Sequence, residues 1–237
     1  MIQLFKLIEK KNLTHNVFEM IFESENEIKM KPGQFVTFLL ENIGGRAYSI
    51  LKLEGKKITL IIKKRELDGG GRGGSKFICE LNIGDTLKGV GPAGHFLLKE
   101  NSNNKLFIGT GTGFVPLFNM INYSLNKYKE TEVKFIFGIR EENDVFYISE
   151  LEKIKKANSN FDFEIYISRV KDLYRFQNQH TDVKIHSGYT TNNLIKENII
   201  KFKEAYICGA PTMIEGSVEK LINLGFIENE NIFYEKY

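Results

Sequence analysis

Four short runs in this sequence place chemically useful side chains or backbone at useful spacings. Arg46-Ala47-Tyr48-Ser49 follows a double glycine and offers a guanidinium for an anion, a flat aromatic face and a small hydroxyl. Read alone it is equally a strand edge. Gly69-Gly70-Gly71-Arg72-Gly73-Gly74-Ser75 precedes a short helical stretch. Free amides, a serine hydroxyl and a helix dipole there can hold a phosphate, or the run is a flexible hairpin loop. Gly109-Thr110-Gly111-Thr112-Gly113 stands between an apolar run and a helix, where backbone amides can approach a pyrophosphate. Phe114 replaces the third glycine of the full dinucleotide fingerprint and no Gly-Lys-Ser/Thr follows, so a nucleotide site and a tight turn both fit. Cys208-Gly209-Ala210-Pro211-Thr212-Met213 ends an apolar strand, where α/β sheets bind ligands, although an isolated cysteine there is also a common core residue.

The chain ends Tyr234-Glu235-Lys236-Tyr237, directly after an apolar strand that can hold the terminal aromatic in place. His15, His95, His180 and His186 show no metal spacing and read as structural or surface residues. Arginine is scarce, six residues against 27 lysines. Where it persists, its two-pronged planar donor has a use that lysine fills poorly. The six are Arg46, Arg65, Arg72, Arg140, Arg169 and Arg175, several of which also read as plain surface charges.

These runs need elements to position them. A chain of 237 residues makes one large domain or two small ones. With 42% hydrophobic and 27% charged residues it is an ordinary globular chain. No apolar run reaches the roughly 18 residues of a membrane span, and the start lacks a signal-peptide layout, so the cytoplasm is expected. Two cysteines, Cys79 and Cys208, exclude a disulfide scaffold, a four-cysteine zinc site and a cysteine-ligated iron–sulfur cluster within the chain. Net charge is +3, with 16 basic and 12 acidic residues in 1–100 and 17 against 18 in 101–237. That is too mild for a nucleic-acid protein but suits an acidic partner on the first half.

The first hundred residues read as short strands with glycine turns, as in 35–40, 58–62 and 85–90, and predict an antiparallel β-barrel with one short helix from Ser75 to Leu81. Asn101-Ser102-Asn103-Asn104 is a polar linker. Beyond it strands at 105–108, 133–137, 163–167, 205–208 and 232–234 alternate with helices near 116–128, 149–157, 192–198 and 212–224. Alternation of this kind predicts a five-stranded parallel α/β sheet. The expected domains are 1–100 and 101–237.

Taken in order, the motifs resemble the ferredoxin–NADP reductase family. They are Lys31-Pro32-Gly33-Gln34-Phe35, Arg46-Ala47-Tyr48-Ser49, Gly73-Gly74-Ser75, Gly91-Pro92-Ala93-Gly94-His95-Phe96, Gly109-Thr110-Gly111-Thr112-Gly113, Phe137-Gly138-Ile139-Arg140, Cys208-Gly209-Ala210-Pro211-Thr212-Met213 and Glu235-Lys236-Tyr237. The resemblance implies a Greek-key flavin-binding barrel followed by a Rossmann-like nicotinamide-nucleotide domain. It implies that Arg46 pairs with a flavin phosphate, Tyr48 covers one face of the isoalloxazine, and Ser49 lies near its N5. Gly73, Gly74 and Ser75 would hold the FAD pyrophosphate, with Ala47, Ile62 and Lys63 beside the cofactor. Gly109, Thr110, Gly111, Thr112 and Gly113 would take the nicotinamide nucleotide, with Cys208, Gly209 and Met213 at the nicotinamide end. Glu235 would position it or relay protons, and Tyr237 would cover the second flavin face.

Hydride transfer between the two rings asks little acid–base work of the protein, in keeping with a site of serine, cysteine and flat aromatics. Ser168 and Arg169, with Lys171 and Arg175 shortly after, suit the 2′-phosphate of NADPH better than NADH, with Asp172 opposing that preference, and Arg140 joins the residues expected to bind the nucleotide. The implied enzyme is a monomeric ferredoxin/flavodoxin–NADP(+) reductase without a fused ferredoxin, passing single electrons to an acidic ferredoxin or flavodoxin. The alternatives are a flavin reductase, the reductase component of an oxygenase, or a non-catalytic subunit. The last conflicts with retention of Ser49, Cys208 and the terminal acidic–aromatic pair.

Overall fold

The computed structural model describes residues 2–68 and 70–236. The chain divides into two compact units, Met1–Leu98 and Lys99–Tyr237. In the first, β1 (Ile2–Asn12), β2 (Val17–Ser24), β3 (Phe35–Leu40), β4 (Gly44–Ser49), β5 (Lys52–Glu54), β6 (Lys57–Lys63) and β7 (Thr86–Ala93) form an antiparallel sheet in the order β4-β3-β7-β1-β2-β6-β5. The period-2 rule sorts the side chains. Phe5 and Leu7 of β1 point inward and join Phe22, Phe38 and Leu60 in one core, while Leu4 and Lys6 face out. Two neighbouring amides close the barrel. Ile50 N–H donates to Gln34 O (3.0 Å) beside β3, and Leu51 N–H donates to Thr59 O (2.9 Å) on β6. The two sheet edges are thereby tied through two successive peptide units, which removes an exposed pairing edge.

The helix between β6 and β7, α1 (Gly74–Cys79), buries Ile78 and Cys79 on this core. It begins differently from the sequence expectation. Gly73, in a left-handed conformation (φ 80°), is the N-cap, and no side chain caps the helix. The Ser75 hydroxyl oxygen instead accepts the Arg65 amide (3.1 Å).

In the second unit β8 (Lys105–Thr110), α2 (Phe114–Lys127), β9 (Val133–Ile139), α3 (Ile148–Ala157), β10 (Phe161–Ile167), α4 (Leu173–Gln179), β11 (Lys184–Ser187), α5 (Lys196–Ile199), β12 (Glu204–Gly209), α6 (Pro211–Asn223) and β13 (Ile232–Lys236) alternate. All strand pairs are parallel, in the order β11-β10-β9-β8-β12-β13. The central strands read as unbroken apolar runs because both faces are covered; Leu106, Phe107 and Ile108 have no exposed surface.

The sheet has six strands where the sequence predicted five. The extra strand, β11, is four residues long with one fully buried side chain, Ile185, too little for its alternation to be read. The helix expected near 192–198 is a 3-10 turn, Thr190–Asn193, followed by the single-turn α5. The 101–104 segment is held on a buried lysine: Lys105, with no exposed surface, donates to Asn101 O (2.8 Å), Asn101 Oδ1 (2.9 Å) and Asn103 O (2.8 Å), with Glu204 at 3.7 Å. Among the described residues no helix is long and apolar enough to cross a membrane.

Candidate functional site

In the barrel, β4 carries the Arg46–Ser49 run against β3. Arg46 and Tyr48 stand opposite Phe38 and Val36, while Ala47 and Ser49 stand opposite Thr37 and Phe35 on the other face. Tyr48 is half-buried, with its ring 6.1 Å from that of Phe38. Burial raises its hydroxyl pKa well above the usual tyrosine range, with Cys79 adding to the rise and Arg46 and Arg72 pulling the other way. The Arg46 guanidinium donates to Gly45 O (2.8 Å) and Arg72 O (3.2 Å), and its Nε is buried without a partner. Among the described residues no carboxylate pairs with Arg46, Arg65 or Arg72.

The two anion-suited runs of the first half, 26 residues apart from Arg46 to Arg72, meet here through the absence of a side chain. A Cβ on Gly74 would lie 2.5 Å from Arg46 Cγ, so only glycine lets the arginine stem cross the start of α1. Lys64 and Lys76 pair with Glu66, and Lys64 with Glu80, which fastens the loop base to the helix. The donor set fits a phosphate: an arginine free of acids, uncapped first-turn amides, and a Ser75 hydroxyl whose proton remains to be given. The Ile62 side chain lies in the barrel core, so only its backbone is left to face a cofactor; Lys63 is half-buried opposite Val17. Burial pushes the Cys79 thiol up to about 12, which makes it an inert packing group.

In the second unit the chain runs outward from β8 through β9, β10 and β11, then returns to the opposite side of β8 as β12. The carboxyl ends of β8 and β12 therefore flank the switch point where such sheets bind ligands. Gly109-Thr110 and the 3-10 turn Gly111–Gly113 leave β8 there and lead into α2. The two strand ends approach very closely. Gly209 has φ 150°, and a Cβ on it would lie 2.1 Å from Thr110 Oγ1. That oxygen accepts the Ala210 amide (3.1 Å). Cys208 is registered between Gly109 of β8 and Glu235 of β13. It is fully buried, and burial, with Glu235 adding, pushes its thiol well up. Burial also raises the Glu235 carboxyl, which no hydrogen bond or ion pair holds among the described residues. Met213 is half-buried on α6, its sulfur accepting from Ser217 (3.5 Å).

The expected phosphate-end residues gather at the ends of β9 and β10. Ser168 N–H donates to Ile139 O (3.1 Å) and Arg169 N–H to Arg140 O (2.8 Å). Arg140, Arg169 and Arg175 are exposed, and no carboxylate pairs with them among the described residues. Asp172 caps α4 by accepting the Arg175 amide (2.9 Å), and Glu142 accepts the amides of Lys171 (2.6 Å) and Asp172 (3.1 Å). Partial desolvation pushes the Glu142 carboxyl up, but those amides outweigh it and leave it below the usual range. Tyr237 and Gly69 lie outside the described residues. Sequence reasoning missed the 3-10 turn Thr190–Asn193, whose Thr190 and Asn193 are buried; its polar composition hides that.

Comparison with known proteins follows the same division. Residues 4–97 match the model of an oxidoreductase FAD-binding domain, and residues 107–219 that of an oxidoreductase NAD-binding domain. A component of the Na(+)-translocating NADH-quinone reductase of Haemophilus ducreyi is 31% identical over 172 residues, 69% of this chain and 39% of that protein. The chain thus spans about two fifths of the length of such relatives. The crystal structure of the Amycolatopsis cytochrome P450 reductase GcoB superposes with a TM-score of 0.85 at 21% identity, covering 100% of this chain and 69% of that one. The ferredoxin reductase in carbazole 1,9a-dioxygenase does so at 0.82 and 19%, again covering 100% and 69%. With both domain models in this order on one chain and both units folded as the motifs require, the chain belongs to the ferredoxin–NADP reductase family of FAD- and NAD-binding oxidoreductases.

Proposed function

We propose that the chain takes hydride from NADPH onto bound FAD and passes single electrons to a separate acidic carrier, a ferredoxin or a flavodoxin. Bound FAD would supply the ability to accept two electrons together and release them one at a time. The observation that carries the reading is Arg46, laid across Gly74 with no acid among the described residues to neutralise it and with a buried, orphaned Nε. An arginine so placed is costly unless an anion completes it.

In this reading Arg46, Gly73, Gly74 and Ser75 bind the FAD phosphates, Tyr48 covers the ring, and Ser49 offers its hydroxyl near N5. Ala47 and the backbone of Ile62 and Lys63 border the cofactor. Gly109, Thr110, Gly111, Thr112 and Gly113 bind the nucleotide, while Cys208, Gly209 and Met213 wall the nicotinamide end. Glu235, whose carboxyl burial raises, positions the nicotinamide or relays a proton, and Tyr237 covers the second ring face. Arg140, Ser168, Arg169 and Arg175 bind the 2′-phosphate. The chain works as a cytoplasmic monomer, and the +4 charge of residues 1–100 steers an acidic carrier toward the barrel.

A second reading has support of its own. The H. ducreyi relative belongs by name to an NADH-quinone reductase, and GcoB and the carbazole enzyme are by name reductases of oxygenase systems. NADH as donor and an oxygenase partner fit those names, and the Glu142 carboxylate beside Lys171 would disfavour a 2′-phosphate. Anaerobic stopped-flow mixing with NADPH and then NADH separates the two. Faster bleaching of the flavin band by NADPH supports the first reading, and faster bleaching by NADH the second. A chain that cannot be loaded with FAD overturns both.

A further inference from the structure

The turn Thr190–Asn193 is polar yet buried, and it is fastened to three elements of the second unit. Asn193 donates through Nδ2 to Glu164 Oε2 and to Tyr166 OH (3.1 Å) of β10, and its Oδ1 accepts Lys134 Nζ of β9 (3.2 Å). Lys134 also pairs with Glu164 (2.9 Å), and His186 of β11 lies 3.3 Å from the same carboxylate while stacking on Tyr166. On the other side Lys220 of α6 donates to Thr191 O (2.9 Å).

So anchored, the turn brings Thr190 to the carboxyl ends of β8 and β9. A Cβ on Gly138 would lie 2.7 Å from Thr190 Cγ2 and 2.8 Å from Thr110 Cγ2, so the two threonine methyls converge over a position that only glycine leaves open. Thr110 belongs to the switch-point crevice, with its hydroxyl committed to Ala210. Thr190 is 2% exposed, and its hydroxyl has no hydrogen-bond partner. A buried hydroxyl with nothing to bond costs more than the bond it forgoes, and the surrounding network holds this one in place.

We infer that Thr190 is a nucleotide-binding residue: its side chain, brought to Gly138 beside Thr110 by the buried Asn193–Glu164–Lys134 network, carries an unpartnered hydroxyl that is completed by a polar group of the bound nicotinamide nucleotide. This rests on the reading of the second unit as the nicotinamide-nucleotide domain. Asn193 then acts as a positioning residue, touching no ligand itself.

The hydroxyl and the methyl of Thr190 make opposite predictions, and two near-isosteric variants separate them. Titration of the FAD-loaded chain with NADP+ and NAD+, followed calorimetrically, reads nucleotide affinity apart from turnover. Thr190→Val keeps the packing and removes the hydroxyl; affinity for the preferred nucleotide should fall about fivefold to tenfold, the loss of one buried hydrogen bond. Thr190→Ser keeps the hydroxyl and should stay within about twofold of wild type. FAD content should be unchanged in both. Wild-type affinity in the valine variant overturns the assignment, and so does weakening in the serine variant equal to that in valine, which would mark a packing role. Failure of the wild-type chain to bind either nucleotide would instead overturn the functional reading beneath it, and the assignment with it.

Discussion

Gly209→Ala is the sharpest test of how the second site is built. The new methyl would lie 2.1 Å from Thr110 Oγ1 and 2.9 Å from Met213 Cε, at a backbone φ of 150°. The methionine end can swing away; the threonine cannot without giving up its bond from the Ala210 amide. Holding a residue with a Cβ at such a φ costs about 1–3 kcal/mol, and the lost hydrogen bond about 1 kcal/mol. Together about 2–4 kcal/mol is expected, a fall in melting temperature of about 5–15 °C for a chain of this size. Circular dichroism melts measure it, and the cause is isolated by a double-mutant cycle with Thr110→Ala, which removes the oxygen in the way. The alanine at 209 should cost at least about 1 kcal/mol less in that background. A Gly209→Ala melt within about 2 °C of wild type, or strictly additive effects in the cycle, would refute the claim that this strand end needs glycine because of Thr110.

Arg46→Ala should weaken FAD binding by about 10- to 100-fold, the range for one charge-assisted hydrogen-bonding group, read by flavin release on dilution; unchanged retention would remove Arg46 from the cofactor site. Ser49→Ala should keep FAD yet slow its reduction by nicotinamide nucleotide about 10-fold or more, and an unchanged stopped-flow rate would remove Ser49 from the chemistry. Glu235→Gln tests burial through pH. The folded carboxyl titrates above its unfolded value, so the penalty on the charged form is full above the folded pKa and vanishes below the unfolded pKa of about 4.3. The glutamine variant should melt higher than wild type at pH 7, and the two should converge on acidification; a gain that persists at pH 3 would contradict a charge-based cause. Reduction of an acidic ferredoxin should slow as salt rises, whereas salt-independence would exclude steering by the basic half.

The sequence by itself determined the two-unit plan, because barrel strands and α/β units write different periods. Buried parallel strands such as Leu106-Phe107-Ile108 read as unbroken apolar runs, while β1 alternates. It also displayed the glycine and arginine motifs in order along the chain, since these residues stand out by type and spacing whatever the fold around them. Tertiary structure alone decided which runs meet. Arg46 reaches the start of α1 because Gly74 has no side chain, a long-range contact that no local pattern encodes. The short strand β11 and the buried turn Thr190–Asn193 were illegible for the opposite reason. The turn is held by partners on β9, β10 and α6, and burial that rests on distant hydrogen bonds leaves no periodicity in the chain that makes it; β11, with Ile185 alone buried, is too short for alternation to show.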